Sequence, residues 1–186
     1  MKYTDHSGRP APADRQRVIV DRARSIAEEE GWNAVTVRRL ADAIGYSQPV
    51  LYQHFPEGRS AIVAAVSRTG FADLREALSA VPRQSGAAAL AAAAHSYVGY
   101  AGEHPALYEA MFEMRSHTRF ASDETPHELQ IAFSALADLL LDRSETRVRT
   151  ELFWSALHGI ATLERDGRLP LAQREARIAE LARLFS

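Results

Sequence analysis

With 186 residues, a net charge of −2, and 46% apolar against 25% charged side chains, the chain has the composition of a folded globular protein and not of a disordered one. No run approaches the roughly 20 apolar residues that span a bilayer, and residues 1–13 read as lacking a signal peptide's apolar segment, so the expected compartment is the cytoplasm. The absence of cysteine excludes disulfides, thiolate metal sites and a cysteine nucleophile, while a near-neutral charge excludes a polycation that coats nucleic acid indiscriminately.

In chain order, residues 1–13 read as a disordered arm. From Asp14 the residues Val18, Ile19, Arg22, Ala23, Ile26 and Ala27 recur three and four apart, which predicts a helix over about 14–30, stopped by Gly31. Thr36 is a suitable cap for a short helix whose inward side is Val37, Leu40, Ala41 and Ile44, and Gly45 ends it. Ser47 is expected to cap a third helix. Pro49 lies in its first turn, where a missing N–H is harmless, and Val50, Leu51 and Phe55 form its apolar side. A long amphipathic helix follows over about 59–80, and Val81-Pro82 stops it.

The remainder is helical by pattern, at about 86–102, 105–114, 126–142, 145–166 and 171–185, with Pro105, Pro126 and Pro170 as first-turn residues and 115–125 as a polar loop. No stretch alternates convincingly enough for a sheet. The fold class is therefore all-α, with about nine helices. The expected division is an arm (1–13), a three-helix DNA-binding domain (14–57), a connecting helix (58–82) and a helical domain (83–186).

Two short capped helices joined by a glycine turn make a helix-turn-helix, in which the first helix braces and the second enters a DNA major groove about 12 Å wide. The segment from Thr36 to Phe55, TVRRLADAIGYSQPVLYQHF, resembles the N-terminal module of the TetR family of regulators, and the resemblance runs over about residues 14–66. It implies that Gln48, Pro49, Val50 and Gln53 meet base edges. Glutamine pairs with adenine through two hydrogen bonds and Pro or Val touches a thymine methyl, each good bidentate pair giving about 1–3 kcal/mol of discrimination. It further implies that Thr36, Arg38, Ser47, Tyr52 and His54 hold phosphates, setting register rather than sequence preference. Family members usually carry a lysine shortly after the phenylalanine; here Gly58 stands there, and Arg59 is the substitute expected to grip a phosphate.

Farther along, Trp154-Ser155-Ala156-Leu157-His158-Gly159, with His104-Pro105 before Ala106–Phe112, resembles a TetR subgroup that carries a Trp-x-x-x-His-Gly motif in the C-terminal domain. Trp154 and His158, four apart, share one helix face. Tyr97, Tyr100, Met111, Phe112, Met114, Phe133, Trp154 and His158 are candidates to line a pocket for a small apolar or aromatic effector; a filled core accounts for the same residues equally well. The stripes Leu152, Ser155, Ala156, Gly159, Ile160, Leu163 and Ile178, Leu181, Ala182, Phe185 are candidates for a homodimer interface, which the family builds from two such helices of each subunit; the alternative is that these stripes only pack inward.

His95, His104, His117, His127 and His158 form no compact pair-plus-carboxylate motif, and there is neither a Gly-rich phosphate loop nor a nucleophile elbow. Neither a metal nor a cofactor is expected, and the chain is not expected to be an enzyme. The reading is a homodimeric repressor, released from a pseudo-palindromic double-stranded operator by an effector, with no membrane partner. The competing reading is a helical small-molecule-binding protein or enzyme that does not bind DNA.

Overall fold

The computed structural model describes residues 12–82, 86–114, 127–138, 140 and 146–186, and among them all regular structure is helical. The helices are α1 (Pro12–Glu30), α2 (Val37–Ile44), α3 (Gln48–His54), α4 (Arg59–Ser79), α5 (Ala87–Glu103), α6 (Pro105–Phe112), α7 (His127–Ala137), α8 (Thr146–Arg165) and α9 (Arg174–Phe185). Residues 1–11 of the expected arm and the expected loop 115–125 lie outside the described residues. The chain divides into two compact units: residues up to Thr69 together with Ala106–His117, and Gly70–Pro105 together with Thr118–Ser186. Helix α4 runs through both.

In the first unit α1 packs against α2 and α3. Ile19, Ala23, Ile26 and Ala27 are buried, as are Leu40 and Ala41 of α2 and Leu51 and Phe55 around α3. Burial of a leucine or isoleucine side chain contributes about 1.5–3 kcal/mol, so these few residues hold two helices too short to persist alone. The helical period places the inward stripe of α1 correctly in the main, but Val18 and Arg22 face solvent and Ile44 is half-buried.

In the second unit α5 packs against α8 and α9, and α7 against α8. The buried side of α5 is mostly alanine, with Ala89, Ala93, Ala94 and Ala101 flanking Leu90, Tyr97 and Val98. Side chains this small let the neighbouring helices approach closely. Phe153, Leu157 and Ala161 of α8 and Ile178, Leu181 and Ala182 of α9 complete the core. Gly167, at φ 68°, turns the chain after α8, and Leu171–Gln173 forms a 3-10 turn, so α9 starts at Arg174 and not at 171. The Glu164 carboxylate, almost wholly buried, receives the guanidinium of Arg174 at 2.7 Å and that of Arg177, which also donates to the Pro170 carbonyl.

One expectation needs correction here. Ile178 and Leu181 were candidates for a dimer interface, but both are buried within their own unit, and the Phe185 ring packs on Phe153 at 5.2 Å with Arg149 over its face. The buried side of α9 packs against α5 and α8, while Leu184 of the same helix is 62% exposed. A helical period tells which residues share a face, not which body that face meets.

Candidate nucleic-acid interface

The two short helices are bounded by identifiable backbone features. Thr36 is extended at φ −121°, ψ 153°, and its Oγ1 accepts from the Arg39 N–H at 3.1 Å, satisfying an otherwise orphaned donor of α2. At the other end Gly45 adopts φ 69°, ψ 29°, the left-handed region open to glycine, and the Tyr46 N–H closes on the Ala41 carbonyl at 2.9 Å. Ser47 occupies the cap position of α3, as expected, but makes no capping hydrogen bond with its side chain, so its hydroxyl stands at the surface.

Helix α3 has only seven residues, and Leu51 anchors it inward with Phe55 just beyond. Leu51 is fixed inward, whereas Gln48 and Tyr52, and Pro49 and Gln53, each pair four apart, are all exposed, and Val50 is half-buried. Tyr52 is 48% exposed. A Cβ added to Gly58, which sits at φ 61°, would come to 3.2 Å from Tyr52 Cε1, so the ring of Tyr52 lies against this glycine and would have to give by a few tenths of an ångström for a side chain there.

Of the remaining candidates, Thr36 and Arg38 are exposed, and Arg38 approaches Asp42 only at 4.0 Å between two well-solvated side chains. Exposed pairs of this kind contribute little, and the guanidinium is available to another anion. His54 is half-buried; its carbonyl accepts from Gln16 Nε2 at 3.4 Å, which sets the start of α1 beside the end of α3. Arg59 is placed differently from a phosphate ligand. Its Nε donates to the Val35 carbonyl at 2.9 Å and a terminal nitrogen donates to the Trp32 carbonyl at 2.8 Å, so the group ties the first turn of α4 to the turn ahead of α2. That role was not visible in the sequence, because carbonyls 24 and 27 residues away leave no local pattern.

The pocket candidates divide between the units. Met111, Phe112 and Met114 belong to the first unit; Tyr97, Tyr100, Phe133, Trp154 and His158 belong to the second. There, Trp154 Nε1 donates to Tyr97 Oη at 3.0 Å, Tyr100 Oη donates to the Gly70 carbonyl at 3.0 Å, and Phe133 meets Trp154 edge-on at 6.2 Å. The polar tips of three of these aromatics therefore tie helices together.

Comparison with known proteins decides the family. Residues 19–66 match the family described as bacterial regulatory proteins, tetR family, and residues 90–184 match the tetracyclin repressor-like C-terminal domain. The chain belongs to the TetR family. Within that family it is 30% identical over 177 residues to an HTH-type transcriptional regulator of Mycobacterium tuberculosis, a match covering 86% of this chain and 73% of that protein. A second HTH-type regulator, from Bacillus subtilis, is 36% identical over 96 residues, spanning about half of each chain.

TetR-like architecture is also found in solved structures. A TetR-family transcriptional regulator from Streptomyces coelicolor superimposes with a TM-score of 0.69 at 22% identity, over 93% of this chain and 79% of that one. A protein of unknown function from Rhodococcus reaches a TM-score of 0.77 at 24% identity, over 98% and 97%. TetR-family members are DNA-binding transcription factors without enzymatic activity, and this chain is one of them. Among the described residues, no helix is long and apolar enough to cross a membrane, and no three metal-ligating side chains cluster.

Proposed function

We propose that the protein is a homodimeric, cytoplasmic repressor that presents two copies of α3 to pseudo-palindromic half-sites about one helical turn apart, roughly 34–36 Å, and leaves the operator when a small apolar or aromatic effector binds. The observation that carries this reading is the division of α3 into an inward anchor, Leu51, and an outward face of Gln48, Pro49, Tyr52 and Gln53. Gln48 and Gln53 reach base edges, with Pro49 and Val50 against thymine methyls. Thr36, Arg38, Ser47, Tyr52 and His54 hold phosphates, whereas Arg59 braces the module instead of joining them.

The dimer forms along the outward stripe of α8, where Val148 and Leu152 are 58% and 57% exposed and Ser155, Ala156, Gly159, Ile160 and Leu163 continue the same side. Among the described residues outside its own stretch of helix, nothing lies within 4 Å of where a Gly159 Cβ would stand, which supports the close approach of a partner's helix there. Trp154, His158 and Gly159 support the reading that the chain falls in a Trp-x-x-x-His-Gly subgroup. The effector favours an arrangement of the two recognition helices that does not fit the operator, with a coupling of about 1–3 kcal/mol.

Selection of bound fragments from a random duplex pool tests the central claim. A palindromic consensus is expected, with affinity falling steeply as salt rises because phosphate contacts release counterions. Recovery of no consensus, or an affinity indifferent to salt, defeats it.

A further inference from the structure

Gly58 lies in the turn between α3 and α4, and the backbone fixes it from both sides. Its N–H donates to the Phe55 carbonyl at 2.8 Å, and its own carbonyl accepts from the Ile62 N–H at 3.2 Å. Its φ of 61° lies in the left-handed region that side chains of L residues rarely adopt. That is a demand of the turn. Asparagine also meets it with little strain, because its short polar side chain tolerates the left-handed conformation.

A second demand comes from the neighbours. Gly58 is buried, and the position that a Cβ would take lies 3.2 Å from Tyr52 Cε1, 3.8 Å from Tyr52 Oη and 3.7 Å from Val37 Cγ2. A contact of 3.2 Å obliges the neighbour to shift by a few tenths of an ångström, and here that neighbour is the edge of the phenol ring. Tyr52 is 48% exposed, so what holds its ring must act from the covered side, where it rests on the bare backbone of Gly58. Val37, Tyr52 and Gly58 all belong to the first unit.

We infer that Gly58 is a positioning residue for Tyr52: the missing Cβ leaves a seat on which the phenol ring lies, and the seat aims its hydroxyl. This inference deepens the regulator reading and rests on it, because aiming the hydroxyl matters only where it donates to a phosphate. A ring seated before binding loses less freedom on binding than one that turns freely. A hydrogen bond also weakens as it lengthens or bends, so a displacement of the ring edge is felt at the hydroxyl.

The test is a double-mutant cycle in the full-length protein, read as affinity for the selected duplexes. Tyr52→Phe removes the hydroxyl alone and should weaken binding about tenfold on every duplex alike, the loss of one hydrogen bond to a charged group. Gly58→Asn keeps the turn but brings in the Cβ. It should weaken binding by about threefold or more, and by no more than Tyr52→Phe does, since a displaced contact is at worst a lost one. In the Tyr52→Phe background the same substitution should cost less than about twofold, the scatter expected of independent sites.

Equal losses from Gly58→Asn in both backgrounds would mark general damage to the module and overturn the proposal, as would no loss in the parent. No effect of Tyr52→Phe overturns it too, since the hydroxyl then has nothing to meet. Should the parent bind no duplex, the regulator reading falls by itself, and the seat is judged without DNA. Nuclear Overhauser contacts from the Tyr52 ring to the Gly58 α-hydrogens are expected in the parent, with the ring signals moved in Gly58→Asn; absent contacts or unmoved signals refute the seat. The parent's contacts decide the matter should Gly58→Asn fail to fold.

Discussion

In the first unit the short α3 keeps Gln48, Pro49, Tyr52 and Gln53 at the surface, whereas in the second unit Trp154 turns onto Tyr97, Tyr100 onto a backbone carbonyl, and Glu164 onto two arginines. The contrast follows from what each region must recognise. Base edges and phosphates lie outside the protein and require donors left at the surface, while the bonded polar groups of the second unit join helices to one another. Both regions are helical, and both carry aromatics with polar tips. What separates the α3 surface from the second unit is that the Tyr52 ring stays exposed, whereas Trp154 and Tyr100 find partners inside the chain.

This contrast can be broken at its anchors. The largest effect is expected from Leu51→Ala, which removes the buried centre of α3 and should cost about 2–5 kcal/mol in chemical unfolding, together with DNA binding. A loss below about 1 kcal/mol would mean that α3 is not held by its buried side. Next comes Glu164→Ala in the second unit. Removing a buried carboxylate from between Arg174 and Arg177 should destabilise by about 3 kcal/mol, toward the low end for buried pairs because both arginines are partly solvated. Unchanged thermal unfolding would show the network to be idle.

The contrast is sharpened by changes at the surface. Gln48→Ala should leave thermal unfolding where it is and relax preference at one base pair of each half-site by about 1–3 kcal/mol, read by competition between duplexes. An equal loss on every duplex would instead make Gln48 a phosphate contact. The smallest effect is expected at Leu171, an exposed apolar residue at the loop before α9: Leu171→Gln should stay within about 0.5 kcal/mol of the parent in unfolding. A larger change would reveal that the assembly covers this residue.

Much of this was legible in the residues alone. The three- and four-residue spacing of Ile19, Ala23, Ile26 and Ala27, the glycine at 45 and the prolines at 49 and 105 announce where helices run and stop, because these signals act within one or two turns of backbone. The outward set on α3 was legible for the same reason, since Leu51 and Phe55 define the opposite side. Misplacement occurred where the deciding partner is far along the chain: Arg59 met the carbonyls of Trp32 and Val35, and Ile178 and Leu181 met their own unit.

By itself, then, the amino-acid sequence determined an all-helical chain, the boundaries of its short N-terminal helices and the module that carries DNA recognition, all of which depend on local backbone preference and on apolar spacing. Only the tertiary structure decided that Glu28 caps α6 from 78 and 79 residues away, that Arg59 is a brace, and that Ile178 and Leu181 of α9 turn inward. Hydrogen-bond donors and apolar stripes declare what they need, and the packed chain alone chooses which partner supplies it.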